Sequence, residues 1–346
     1  MEERQRITAQ FRDFTYKSVP IKDYSLDENL PTQPNCYVCT SSPKVGLGSL
    51  DTLPLEILHN ILPQLDLLTL TDFRRVNQRA LQLVASLPQF KAINSHARDA
   101  LRGILSIETG RWITCEDLYA TLCTAQCERC GDFGAYLYIL TCKRVCFLCF
   151  TQAEAYLPLR FIHATQKFGL DRSILNTLPR MRSIPGKYAN NPKKCRERLT
   201  LVDPESARRA GIALHGSVAA MEDHAWDIAG QKMLRYEVRL AQRSAGLSGS
   251  STTRRPRIEG PFDRESDNPL RFMAIVHMPW LNRTTQDIEL GSFCVGCEGS
   301  YNAHRNKPMY FRRRFNVDSF NAHLKECGSI KDRKHCPNRH ENTIAQ

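Results

Sequence analysis

Residues 50–84 read LDTLPLEILHNILPQLDLLTLTDFRRVNQRALQLV. Apolar side chains fall at Leu53, Leu55, Ile57, Leu58, Ile61, Leu62 and Leu65, then at Leu67, Leu68, Leu70, Phe73, Val76, Leu81, Leu83 and Val84. The spacing is helical, but the apolar positions cover most of the cylinder. A helix in its own domain buries one stripe, so this stretch calls for a second body against its other side. Pro54 suits a first helical turn and Glu56 complements the positive end of the helix dipole. Pro63 stops that helix near Leu62. A second helix is expected from Asp66 or Thr69, and Asn77 caps a third that ends before Pro88. Three short helices make a small core, which again favours a covering partner.

Leu53-Pro54, Glu56, Leu58, Ile61-Leu62, Leu65, Leu68, Leu70, Phe73, Arg75, Val76 and Asn77 together resemble an F-box. The likeness spans residues 50–90. The order of elements, with Cys36-Tyr-Val-Cys39 before the box, a cysteine-rich module after it and then Ile184-Pro-Gly-Lys-Tyr188, is similar to that of filamentous-fungal F-box proteins. The resemblance implies a hook for the Skp adaptor of a cullin-based ubiquitin ligase. It also implies a protein target, of a class the sequence does not reveal, held by the C-terminal region. On this reading Leu53, Pro54, Ile57, Leu58, Leu62, Leu65 and Leu68 face the adaptor. Phe73, Val76 and Leu81 tie the hook to the domain behind it.

The chain has 346 residues and 14 cysteines. No apolar h-region opens it, and its longest uncharged apolar run is about half the ~20 residues of a membrane span. An intracellular location, nuclear or cytoplasmic, follows, and there cysteines serve metals more than disulfides. Four Cys-x-x-Cys pairs occur, at Cys36/Cys39, Cys127/Cys130, Cys146/Cys149 and Cys294/Cys297. Cys127, Cys130, Cys146 and Cys149 have the spacing of a closed four-cysteine zinc site, with a hairpin through Ala135–Leu140 returning the second knuckle. Cys123 and Cys142 flank it, and either can replace a member. Cys294 and Cys297 pair with His323 and Cys327, four apart on one helical face, as a second zinc set. His304, His335, Cys336 and His340 are substitutes there. Cys36/Cys39 alone make half a site and stay unassigned.

These features give a mainly α fold with small β-hairpins: an N-terminal three-helix F-box, then a helical domain stapled by two structural zinc ions. The expected divisions are a loosely ordered 1–49, the box at 50–90, and a helical domain 91–243 containing the module 127–149. A flexible basic loop 244–258 follows, then a C-terminal region 259–346 with the module 294–327. Within 91–243, the helix from Val218 to Gln242 is expected to bury Met221, Ala225, Ile228, Met233, Tyr236 and Leu240.

No phosphate loop, nucleophile motif, paired-carboxylate signature or open metal site appears, so the chain reads as non-catalytic. A net charge of +12 raises a zinc-containing nucleic-acid-binding regulator as the alternative, with Arg312-Arg313-Arg314 in its support. Against it, nearly all the basic excess lies between Arg160 and Arg257, away from both cysteine modules.

Overall fold

The computed structural model describes residues 2–17, 22–32, 45–190, 194–245, 255, 266–303 and 309–336. Cys36, Cys39, His304, His340 and most of the 244–258 loop lie outside them. The described chain is mainly helical, with three three-stranded and two two-stranded antiparallel sheets.

The leucine-rich stretch forms the helices Leu55–Ile61, Leu67–Val76 and Gln78–Ser86. Pro63 converts the end of the first into a 3-10 turn, Leu62–Gln64. Asp66 caps the second by accepting from the Thr69 N–H at 2.9 Å, and Asn77 caps the third through Ala80 N–H at 2.8 Å. Pro88 opens the next helix, Pro88–His96, followed by Arg98–Ser106 and by Cys115–Leu122. The last begins in a capping box in which Thr114 and Asp117 exchange two 3.0 Å bonds.

These helices do not form a separate core. Leu58, Leu62, Leu67, Leu70, Leu83 and Val84 belong to one apolar cluster that continues through Ile104 and Leu118 to Tyr136, Phe150 and Val276. Backbone bonds from Leu67 N–H to Ile113 O (2.9 Å) and from Cys115 N–H to Leu65 O (3.2 Å) stitch the stretch to the segment after it. The same cluster spans the expected boundary near residue 258. Strand Tyr136–Tyr138 pairs on one side with Lys143–Val145 and on the other with Ile275–His277. Two buried arginines clamp this junction. Arg144 donates to the carbonyls of Gly134, Thr121, Met278 and Pro279, and Arg271 to those of Phe150 and Ala153.

A second cluster of Leu159, Phe168, Leu175, Val202 and Met221 packs around the sheet of Leu159–Arg160, Thr200–Val202 and Arg180–Arg182. A third, smaller one holds Cys294, Cys297, Phe315, Phe320 and Ile330.

Two expectations change. The N-terminal segment is ordered in its described parts: helix Glu2–Phe14 sets Phe11 against Phe320, ring centroids 5.6 Å apart. Strand Thr15–Tyr16 then pairs with Cys294 and Phe293, so the segment completes the C-terminal module. The second change is the long helix Val218–Ser244, in which Met221 is the buried residue. Trp226 and Leu234 stand 70% and 62% exposed. Its start packs on the helices Phe161–Phe168 and Pro204–His215, with His224 4.6 Å from His215 between ring centroids. Of the expected stripe, Ala225, Ile228, Met233 and Tyr236 are half-buried and Leu240 is exposed.

Candidate functional site

The first cysteine module assembles from turn chemistry. Gly131 takes φ 77°, a conformation open to a residue without Cβ, and donates its N–H to Cys127 O at 3.0 Å. The turn aims Cys127 and Cys130 inward. Strand Lys143–Val145 leads directly to Cys146, which caps the Phe147–Gln152 helix and accepts the Cys149 N–H at 3.4 Å. The four sulfurs lie within 4.8 Å of one another, and Cys130 and Cys146 are 3.6 Å apart. A tetrahedral ion bonded to sulfur at 2.3 Å sets that edge at about 3.8 Å. Cys123 and Cys142 stay outside the group. Burial pushes the Cys142 thiol up to about 12.

The second module brings together Cys294, Cys297, His323 and His335. Cys294 ends strand Ser292–Cys294, and Cys297 lies in the first turn of the following helix, Val295–Ala303. His323 comes from Val317–Cys327, capped by Asn316 in a box with Ser319. The edges are 3.4 Å for Cys294–His335, 3.3 Å for Cys297–His323, 3.5 Å for Cys297–His335 and 3.2 Å between the two imidazole Nε2 atoms. Tetrahedral bonding at 2.0–2.3 Å sets sulfur–nitrogen and nitrogen–nitrogen edges of about 3.6 and 3.3 Å. His335 Nδ1 donates to Gly328 O at 3.1 Å, which fixes the tautomer and leaves Nε2 as the ligand atom.

His335 therefore stands where Cys327 was expected. Cys327 groups instead with His323 and Glu326. The reason is the hairpin Ser329–Lys331/Lys334–Cys336, which folds His335 back over the helix. Its Asp332 and Arg333 both have positive φ (49° and 60°), matching a two-residue I′ turn. The helix Val295–Ala303 admits this hairpin at Gly299, where any Cβ would collide with Arg333 O. The one sequence cue for His335 was an aspartate at a turn position, a weak signal.

Protons alone leave both sets in conflict. Cys127 is pulled down by hydrogen bonding from Cys130, while Cys146 is pushed up by its contact with Cys127. Likewise hydrogen bonding from Cys297 holds Cys294 at about 3, and Cys297 is pushed up in return. A divalent cation at each centre would let all the thiols ionise together. Each set is a closed group of four sulfur and nitrogen donors.

The structure divides the residues expected to face a partner. Leu58 and Leu62 are buried in the chain's own core, and Leu65 is half-buried against it. Leu53, Pro54, Ile57 and Leu68 are exposed, and Leu50, Leu55, Ile61 and Val76 join them. Val76, expected to anchor the hook, is 68% exposed, while Phe73 packs on the core. Of the arginine triplet, Arg312 is buried on Asp23, and Arg313 pairs with Asp132 at 2.9 Å. Those two cations serve the fold. Among the described residues no helix is long and apolar enough to cross a membrane.

Comparisons with protein-family models, curated proteins and solved structures returned no match.

Proposed function

We propose that this chain is the non-catalytic substrate-receptor subunit of a Skp–cullin–F-box ubiquitin ligase, acting inside the cell in nucleus or cytoplasm. The observation that carries this reading is the run of exposed large apolar side chains at Leu50, Leu53, Leu55, Ile57, Ile61, Leu68 and Val76. It runs from the Gly48–Thr52 turn over the helices Leu55–Ile61 and Leu67–Val76, whose other faces are built into the core. Each of these side chains is 38–68% exposed. Covering them on association would contribute on the order of 1 kcal/mol apiece before the costs of binding. The adaptor face is thus Leu53, Pro54, Ile57 and Leu68 with Leu50, Leu55 and Ile61, while Leu58 and Leu62 hold the helices from behind. The chain would act by raising a target's effective concentration near a conjugating enzyme carried by other subunits.

The two closed sulfur–nitrogen sets suit zinc, which favours tetrahedral sites of four cysteines, or of two cysteines and two histidines, without an open position. Zinc there would stabilise the fold, with Cys127, Cys130, Cys146 and Cys149 holding one ion and Cys294, Cys297, His323 and His335 the other.

Co-purification with a fungal Skp adaptor tests the receptor reading. The full chain is expected to retain the adaptor. A Leu53→Asp, Ile57→Asp variant is expected to lose it at least tenfold while keeping its unfolding midpoint, since both sites are exposed. Undiminished retention by a folded double variant refutes the proposal.

A further inference from the structure

The basic excess between residues 160 and 257 feeds an open cleft of about 550 Å³. It lies between the first and second apolar clusters, with Met181 of one and Leu175 of the other in its wall. Trp112 adds an aromatic surface, and four guanidinium groups line it: Arg111, Arg172, Arg180 and Arg182. They come from the Gly110–Trp112 turn, the Arg172–Thr177 helix and the Arg180–Arg182 strand.

One carboxylate, Glu108, shares the cleft, and it is already engaged by Arg182 at 3.5 Å and Arg198 at 3.8 Å. Arg180 donates to the Asn176 backbone carbonyl and side-chain oxygen, neutral partners that orient it without cancelling its charge. Arg111 and Arg172 have no carboxylate partner among the described residues. Arg111 and Arg180 both lie over the Trp112 ring, 5.3 and 5.9 Å from its centroid, so two cations share one indole. Like charges gathered in one concavity repel unless an anion joins them, and they concentrate such an anion from solution. A carboxylate brings one negative charge; a phosphate monoester brings nearly two, with three acceptor oxygens for guanidinium forks. The accessible apolar wall of Trp112, Phe161 and Ile162 meanwhile calls for carbon next to the anion.

We infer that this cleft binds a phosphorylated side chain presented by a protein partner, with the phosphate on Arg111, Arg172 and Arg180 and the carbon stem on Trp112 and Ile162. Arg111 and Arg172 are exposed at the rim, where a small free phosphate keeps most of its hydration. A peptide gains the remaining affinity from its flanking residues. That the partner is a ubiquitination target rests on the receptor reading above; the anion chemistry of the cleft does not.

The test uses the full metal-loaded chain and labelled degenerate peptide pools with a fixed central phosphoserine, phosphothreonine or phosphotyrosine, each beside its unphosphorylated twin. At least one phosphorylated pool should bind about tenfold or more tightly than its twin and weaken as salt is raised. Arg111→Ala with Arg172→Ala should abolish that preference while leaving adaptor retention and the unfolding midpoint unchanged. No phosphate preference in any pool, or a preference that survives in the double variant, overturns the inference. AMP or inorganic phosphate competing as strongly as the best peptide would overturn the assignment to a protein partner. Loss of the receptor reading shows separately, as phosphate preference without adaptor retention.

Discussion

His277 makes the stability of this fold depend on pH in a direction opposite to that of a lone buried histidine. The imidazole ends strand Ile275–His277, with Nδ1 2.9 Å from Asp27 and Nε2 3.2 Å from Asp23. Asp23 also accepts from Tyr136 Oη at 2.5 Å and from Arg312. Burial alone would pull the imidazolium down, but hydrogen bonds to both carboxylates outweigh it and raise His277 from 6.5 to about 9. A raised folded value means that the native state holds a proton the unfolded chain releases. The stabilisation is therefore complete below pH 6.5 and is lost as pH climbs through about 9. At about 1.36 kcal/mol per unit, the full contribution is on the order of 3 kcal/mol. Urea unfolding of the metal-loaded chain across that window should show the midpoint falling with pH. His277→Gln should be less stable at the acid end and should flatten the slope. An unchanged slope in the variant, or a wild-type midpoint that rises over the window, refutes the assignment of the tie to a charged imidazole.

Two other predictions concern the metal centres and the hook. Elemental analysis after dialysis should find about two zinc ions per chain, one fewer in His335→Ala and no change in Cys327→Ser; the reverse pattern would restore Cys327 as the ligand. Leu62→Ala, in the core, should cost about 2–5 kcal/mol in urea unfolding, while exposed Leu53→Asp should shift stability by only about 0.5 kcal/mol. Equal costs would mean that the buried and exposed sides of the stretch from Leu53 to Leu62 are not distinguished as described.

The features legible in the sequence are those decided within a few residues. Asn77, Thr114 with Asp117, and Asp203 before Pro204 all cap where their chemistry says, because such a cap needs a side chain and a backbone group three positions apart. Gly328 ends the His323 helix through its positive φ and its own N–H. The four-cysteine set was equally readable, since each knuckle is local and one hairpin joins them.

What the sequence left open was set by distant partners. Ile57 and Leu58 are adjacent on the helix and both apolar; Leu58 is covered because it joins a core assembled from residues far along the chain, while Ile57 faces out. The pairing of Tyr136–Tyr138 with Ile275–His277 has no local signature either. It nevertheless joins the two halves of the chain into one core, and Asp23 adds the N-terminal segment through His277, Tyr136 and Arg312. That connection bears on how a receptor of this design would work. The helices carrying the exposed leucines share a continuous core with the first metal module and with Met181 in the wall of the arginine-lined cleft. A partner seated on Leu53 and Ile57 would therefore be held in fixed relation to a ligand in the cleft. That rigidity is what delivery of a target to a separate catalytic subunit requires, because effective concentration falls away when the connection between two binding sites is loose.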